Sequence, residues 1–136
     1  MRIISQNELT KKLFDHPYAN SPEYHAGMSV VHISDDGRLL IGYWHAPKGE
    51  VEINYGINVE YNYVISGKIS VIDSDGNSFF ASAGDIIECG GKKGAVKYHI
   101  QEYAKTLFVV YPQSKEDLEF VLSIQSENNP IKFTPK

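Results

Sequence analysis

Between residues 28 and 111 the chain repeats one device. A short run rich in β-branched, aromatic and aliphatic residues is followed by a turn of glycine, aspartate, asparagine or serine, and no helical-period segment intervenes. The run Met28-Ser29-Val30-Val31-His32-Ile33 is the first. Asp35-Asp36-Gly37-Arg38 then turns the chain, because Asp-Gly readily supplies the positive φ angles of a tight hairpin. The spacing predicts further strands over 39–45, 51–55, 59–65, 68–73, 78–81, 86–88, 95–100 and 106–111. The turns between them include Pro47-Lys48-Gly49, Ser66-Gly67, Ser74-Asp75-Gly76-Asn77 and Ala83-Gly84-Asp85. Many short strands with turn signals and no helices between them restrict the fold to a sandwich or barrel.

The ends read differently. Ser5 with Glu8 three residues on is a capping-box pattern, and Leu9, Leu13 and Phe14 share a helical face, so a short helix is predicted ahead of a loop from His16-Pro17 to Pro22. Near the other end, Ser114 with Asp117 can cap a helix through Ile124. Leu118, Phe120, Leu122 and Ile124 also alternate as a strand would, so both assignments stand. Asn128-Asn129-Pro130 breaks this element, and 131–136 is read as an extended tail.

The 136 residues suffice for one domain and not for two ordinary ones. We place its core at about 28–112, an N-terminal arm at 1–27 and a C-terminal extension at 113–136. The net charge of −4 comes from interspersed acidic and basic residues. With no basic stripe and no Lys/Arg block, neither a nucleic acid nor a membrane surface is an expected partner. The first eight residues lack the apolar core of a signal peptide, and no segment approaches a membrane span, so a cytoplasmic location is the expectation. Cys89 is the sole cysteine, which rules out an intramolecular disulfide and a Cys-rich metal site.

Glu60 followed after six residues by Gly67 resembles the second half of the first motif of the RmlC-like cupin superfamily, and Gly84-Asp85 before Ile86-Ile87 resembles the start of the second. An ordered series is more specific. Trp44, Gly49, Glu60, Tyr63-Val64-Ile65-Ser66-Gly67, Asp75-Gly76, Gly84-Asp85 and Lys105 resemble the small single-domain cupins of the EutQ-like and ureidoglycine-aminohydrolase-like group, over about 40–112. The resemblance implies an all-β cupin jelly roll with a short N-terminal helix, and a homodimer, for which exposed edge strands and the outer face bearing Tyr61 and Tyr63 would supply the contact. Metal-binding members of that superfamily place two histidines shortly before the glutamate and one in the second motif. Here Ile53-Asn54-Tyr55-Gly56-Ile57-Asn58 contains none, and neither does the stretch 90–96. A transition metal needs about three or four His, Cys or carboxylate ligands, so neither a metal of the usual cupin type nor any other cofactor is expected.

A barrel of this size encloses a small cavity faced by alternate strand residues. If Glu60 points inward, so do Asn62 and Val64, while Tyr61 and Tyr63 face out. Tyr55, Asn54 or both reach the mouth, depending on a one-residue register choice. An enclosed carboxyl is desolvated, which raises its pKa and makes a proton-transfer group near neutrality. The catalytic candidates are therefore Glu60, Tyr55, His45 and His99. For the histidines the competing reading is a surface or satisfied core residue, and for Glu60 a structural acceptor of hydrogen bonds. Asn54, Asn62, Trp44 and Lys105 are candidate ligand contacts, although Trp44 also suits core packing and Lys105 barrel closure. Cys89 reads as a small buried hydrophobe, Glu50 and Glu52 as a solvated face, Lys92-Lys93 as a solvated loop, and His16, His25 and His32 as uninvolved.

Three functions remain open at this point. The first is a metal-independent isomerase, lyase or hydrolase of a small polar molecule using Glu60. The second is a non-catalytic cupin that binds a metabolite or serves as an accessory or regulatory protein. The third and weakest is a metal enzyme with unusual ligands such as Glu60, His45 and His99.

Overall fold

The structure is a computed structural model that describes residues 1–90 and 95–125 together with Phe133 and Pro135. Its elements run α1 (Gln6–Lys11), β1 (Phe14–His16), β2 (Ala26–Ile33), β3 (Leu40–Ala46), β4 (Gly49–Asn54), β5 (Val59–Ile72), β6 (Ser78–Ser82), β7 (Ile86–Gly90), β8 (Ala95–Val110) and α2 (Lys115–Gln125). All strand pairs are antiparallel. The sheet order is β1-β2-β3-β8-β5-β6, with β4 also on β8 and β7 also on β5.

Two long strands turn this single hydrogen-bonded path into a jelly roll. The first part of β5 pairs with β7 and with the end of β8, through Glu60↔Val110 and Asn62↔Phe108. The later part pairs with β6 and with the beginning of β8, through Ile69↔Ile100 and Val71↔Tyr98. Both strands thus pass from one layer into the other, and the pairing register shifts three times between Val64 and Ile69. Gly67 sits at this bend with φ +96°. A Cβ there would lie 2.5 Å from the Tyr103 carbonyl oxygen and 2.6 Å from the Ala104 Cα, so the bend needs glycine both for its conformation and for the close approach of β8.

Three expectations about the elements are corrected here. Ser66-Gly67 is a bend inside one continuous strand rather than a turn between two strands. The strands expected at 95–100 and 106–111 are one strand, because the paired β5 bends alongside β8 and keeps it in the ladder. Helix α1 ends at Lys11, and Phe14 belongs to β1, where it pairs opposite Met28. The Ser5 cap is present, its side chain accepting from the Glu8 N–H at 3.1 Å. The C-terminal alternative resolves as helix: the Ser114 hydroxyl accepts from the Asp117 N–H at 3.2 Å and Val121 is buried. Gly91, Lys92, Lys93 and Gly94, the Asn128-Asn129-Pro130 break and most of the tail lie outside the described residues.

The core lies between the layers, with Val51, Val64, Ile69, Tyr98, Ile100 and Phe108 all buried. A smaller cluster, Leu9, Leu13 and Tyr43, lies on the outer face of β3 beneath α1, with Phe133 packed against it. Among the described residues no helix is long and apolar enough to cross a membrane.

Candidate functional site

Strand alternation sorts the first residues of β5. Asn62 and Val64 are buried, whereas Tyr61 and Tyr63 are 43% and 46% exposed on the outside. Glu60 shares the inner face and lines a cavity of about 310 Å³. Desolvation pushes its carboxyl from 4.5 up to about 7, and side-chain hydrogen bonds from Tyr55 and Asn62 only partly offset this. The amide of Asn62 is oriented by Thr106, whose hydroxyl donates to Asn62 Oδ1 at 3.0 Å, which leaves the NH₂ to donate to Glu60.

Tyr55 follows directly on β4 and is buried, which settles the register at the mouth. Asn54 stays exposed at the rim, and its Oδ1 accepts from the Gly56 N–H at 3.0 Å, holding the turn that presents Tyr55. The Tyr55 hydroxyl lies 2.6 Å from that of Tyr98, which lies 3.1 Å from the Cys89 sulfur. Burial raises both phenols well above their ordinary value and also raises the Cys89 thiol, so all three keep their protons at neutral pH. Tyr55 and Cys89 also border a second cavity of about 580 Å³ towards β6 and β7.

The segment after β1 and the helix α2 cover the mouth. Trp44 Nε1 donates to the Tyr18 hydroxyl at 2.8 Å, and the Tyr98 ring packs edge-on against Trp44 with centroids 5.9 Å apart. The His16 ring lies tilted against that of Tyr18 with centroids 4.6 Å apart and meets Phe120 edge-on at 5.9 Å. Its Nδ1 is buried with no hydrogen-bond partner, and desolvation holds the imidazole down to about 4, hence neutral. Asn58 ties this cover to the barrel, accepting from the Ser114 N–H at 2.7 Å and donating to the Asp117 carboxylate.

Five of the eight candidate residues therefore come together at or near one cavity: Glu60, Tyr55, Asn62, Trp44 and, at the rim, Asn54. The other three do not, for the same reason of alternation. Trp44 faces in, so its neighbour His45 faces out, where its nitrogens lie 2.9 Å from the Tyr43 hydroxyl and 2.7 Å from that of Tyr103. His45 is buried and held down to about 4 by desolvation and by Lys105, but it belongs to the outer cluster. Tyr98 and Ile100 face in, which leaves His99 exposed. Lys105, paired across the ladder with His45, is half-buried on that outer face as well. A relay from Glu60 to either histidine does not form.

Sequence reasoning missed His16, Tyr18 and Tyr98. The last was legible, since the period-2 rule that turned Asn62 inward puts Tyr98 on the same side as Ile100. The other two sit at and after the end of a three-residue strand, where no periodicity reveals facing.

The cupin metal does not fit this donor set. Around Glu60 stand phenols, an amide and a protonated thiol, and among the described residues no group of three or more His, Cys, Asp or Glu side chains is placed to hold a metal ion.

Comparison with known proteins gives the family. The EutQ-like cupin domain matches residues 33–105. No curated protein is detectably similar in sequence. Among solved structures, Clostridium difficile EutQ superposes with a TM-score of 0.59 at 23% identity, covering 68% of this chain and 66% of its own, so this chain spans just under two thirds of that protein. The putative ethanolamine utilization protein EutQ of Salmonella typhimurium gives 0.62 at 17%, covering 74% and 80%. Ectoine synthase from P. lautus gives 0.68 at 17%, covering 89% and 86%. At these identities the superpositions speak for the fold, an all-β cupin jelly roll, and it is the domain match over more than half of the sequence that shows the chain to belong to the EutQ-like cupin family.

Proposed function

We propose that this small-molecule-binding cupin is a metal-independent enzyme, an isomerase, lyase or hydrolase, in which Glu60 moves a proton on a small polar ligand. The observation that carries the reading is the Glu60 carboxyl, enclosed in the cavity and raised to about 7, where it both holds and releases a proton at physiological pH. Tyr55 and Asn62 orient the carboxyl and stabilise its ionised form after the proton has left. Trp44 and Tyr18, bonded to each other, line the same cavity. That an ectoine synthase and a predicted oxalate decarboxylase from Thermotoga maritima share the fold supports small-molecule chemistry in a barrel of this kind.

The test is solvent-proton exchange. Chelator-treated protein is incubated in D₂O with a panel of small polar metabolites and followed by NMR. The expected result is deuterium incorporation or conversion of at least one compound by the wild type and its loss in Glu60→Gln even at ligand concentrations that saturate the variant. Equal turnover by Glu60→Gln, or turnover that appears only on adding a divalent metal, would overturn the reading. Binding without conversion in both proteins would assign the chain to the non-catalytic cupins.

A further inference from the structure

Resting on the reading of this cavity as the working site, we infer that its ligand is a small organic cation, a protonated or quaternary amine, with Glu60 as counter-ion. Charge carries the argument first. The acidic residues Glu52, Glu60 and Asp117 are among those that line the cavity, Asp117 with its carboxylate held by Asn58, and among the described residues no Lys or Arg lines it. His16, the remaining basic group, is neutral. A carboxylate or phosphate ligand would meet no cation here and would face Glu60, and such a like-charge encounter in a desolvated site is strongly unfavourable.

The walls point the same way. The rings of Tyr18, Trp44, Tyr55 and Tyr98 are linked to one another around the carboxyl, through the Trp44–Tyr18 hydrogen bond at 2.8 Å, the Trp44–Tyr98 edge contact and the Tyr55–Tyr98 hydroxyl pair. Aromatic faces attract an ammonium through their quadrupoles, most strongly where water is excluded. Glu60 has unused acceptor capacity, since a carboxylate offers about four lone-pair sites and, among the described residues, Tyr55 and Asn62 are the two that donate to it. The unpartnered His16 Nδ1 gives a polar contact on the side of the cover. A volume of about 310 Å³ limits the ligand to a small molecule.

A cation beside Glu60 favours its ionised form, so binding below the carboxyl's pKa expels a proton and tightens as pH rises. In the bound state Glu60 is then a base, which fixes the direction of the first proton transfer: from ligand to enzyme.

Choline and n-butylammonium are suitable probes because neither titrates between pH 6 and 8, so any proton released on binding comes from the protein. Calorimetry in buffers of different ionisation enthalpy is expected to show close to one proton released per bound probe at pH 6 and almost none at pH 8, with affinity about tenfold tighter at pH 8. The neutral isostere of choline, 3,3-dimethylbutan-1-ol, is expected to bind at least about tenfold more weakly at pH 8 and to release no proton. Glu60→Gln, its fold checked by circular dichroism, should lose the proton release. Failure of both ammonium probes to bind at millimolar concentration overturns the inference, as does equal affinity for the isostere. Binding of propionate with Glu60-dependent proton uptake also overturns the cation while leaving Glu60 as the working group. Cation binding indifferent to Glu60→Gln overturns the role of Glu60 as well.

Discussion

The hydroxyls of Tyr55 and Tyr98 lie 2.6 Å apart inside the barrel, and the second of them lies 3.1 Å from the Cys89 sulfur. When Glu60 is ionised it only accepts, so Tyr55 then gives its single proton to Glu60 and accepts from Tyr98, and Tyr98 in turn accepts from the thiol. In that state three donors line up toward one half-buried, desolvated acid.

Replacing the far end of that line tests it. In Tyr98→Phe, Tyr55 loses the donor that polarises its own O–H, so its bond to the Glu60 carboxylate weakens. The carboxyl should then titrate above its present value of about 7. Infrared spectroscopy of the protonated-carboxyl band, assigned by its absence in Glu60→Gln, reads the midpoint directly. A midpoint that stays in place would show that Tyr98 does not act on the acid. The lost hydrogen bond should also cost about 1 kcal/mol of stability.

The bend in β5 predicts a difference between two glycines. Gly67 and Gly76 both have positive φ, +96° and +84°. A Cβ at Gly67 meets β8 backbone at 2.5 Å, whereas one at Gly76 meets nothing within 4 Å. Gly76→Ala should therefore cost only the conformational strain, about 1 kcal/mol. Gly67→Ala adds a collision with a ladder that cannot move independently, and should cost about 2 kcal/mol more. Urea denaturation of the two variants supplies the comparison, and equal losses would mean that β8 yields at the bend.

That bend also explains what the sequence could and could not tell. The strand composition and the turn residues made the all-β jelly roll legible, and alternation from Glu60 correctly separated Asn62 and Val64 from Tyr61 and Tyr63. Ser66-Gly67 reads as a turn because glycine with positive φ serves both a turn and a bulge. Only the partner strand distinguishes them, and it lies some forty residues away in the sequence. The facing of His45 was in principle available, since Trp44 and His45 are adjacent on a strand and cannot both look inward. The cover over the cavity was not, because His16, Tyr18, Asn58 and Asp117 meet through loop and helix-end contacts that have no period.

His45 on the outer face yields a prediction that separates packing from function. Its ring nitrogens lie within hydrogen-bonding distance of Tyr43 and Tyr103, and Lys105 pairs across from it. In His45→Phe both hydrogen bonds are lost from a buried site, at a cost of about 1–3 kcal/mol. Affinity for the ammonium probes should stay within about twofold of wild type, because the strand backbone separates this cluster from the cavity. A loss of affinity in a variant that still melts cooperatively would return His45 to the site.

Desolvation of Glu60 makes a signed prediction about stability and pH. In the unfolded chain the carboxyl titrates at its ordinary 4.5, and in the folded protein at about 7. Below 4.5 both states carry the proton, and the group contributes no pH dependence. Between the two values the folded state holds the proton and the unfolded state does not, so raising the pH favours unfolding. Above about 7 both are ionised, and the full cost, on the order of 3 kcal/mol, persists. Glu60→Gln has no such proton. Its stability relative to wild type should therefore rise by that amount from pH 4 to pH 8, almost all of it before pH 7. Taking the difference matters, because His16 and His45, both held down to about 4, act oppositely: they lose stability as the pH falls below 6.5, and they do so in both proteins. Denaturant unfolding of both proteins at one-unit pH intervals measures the difference. A constant gap would show that the carboxyl is not desolvated, and a gap that narrows with pH would show that the folded protein supplies it with a cation.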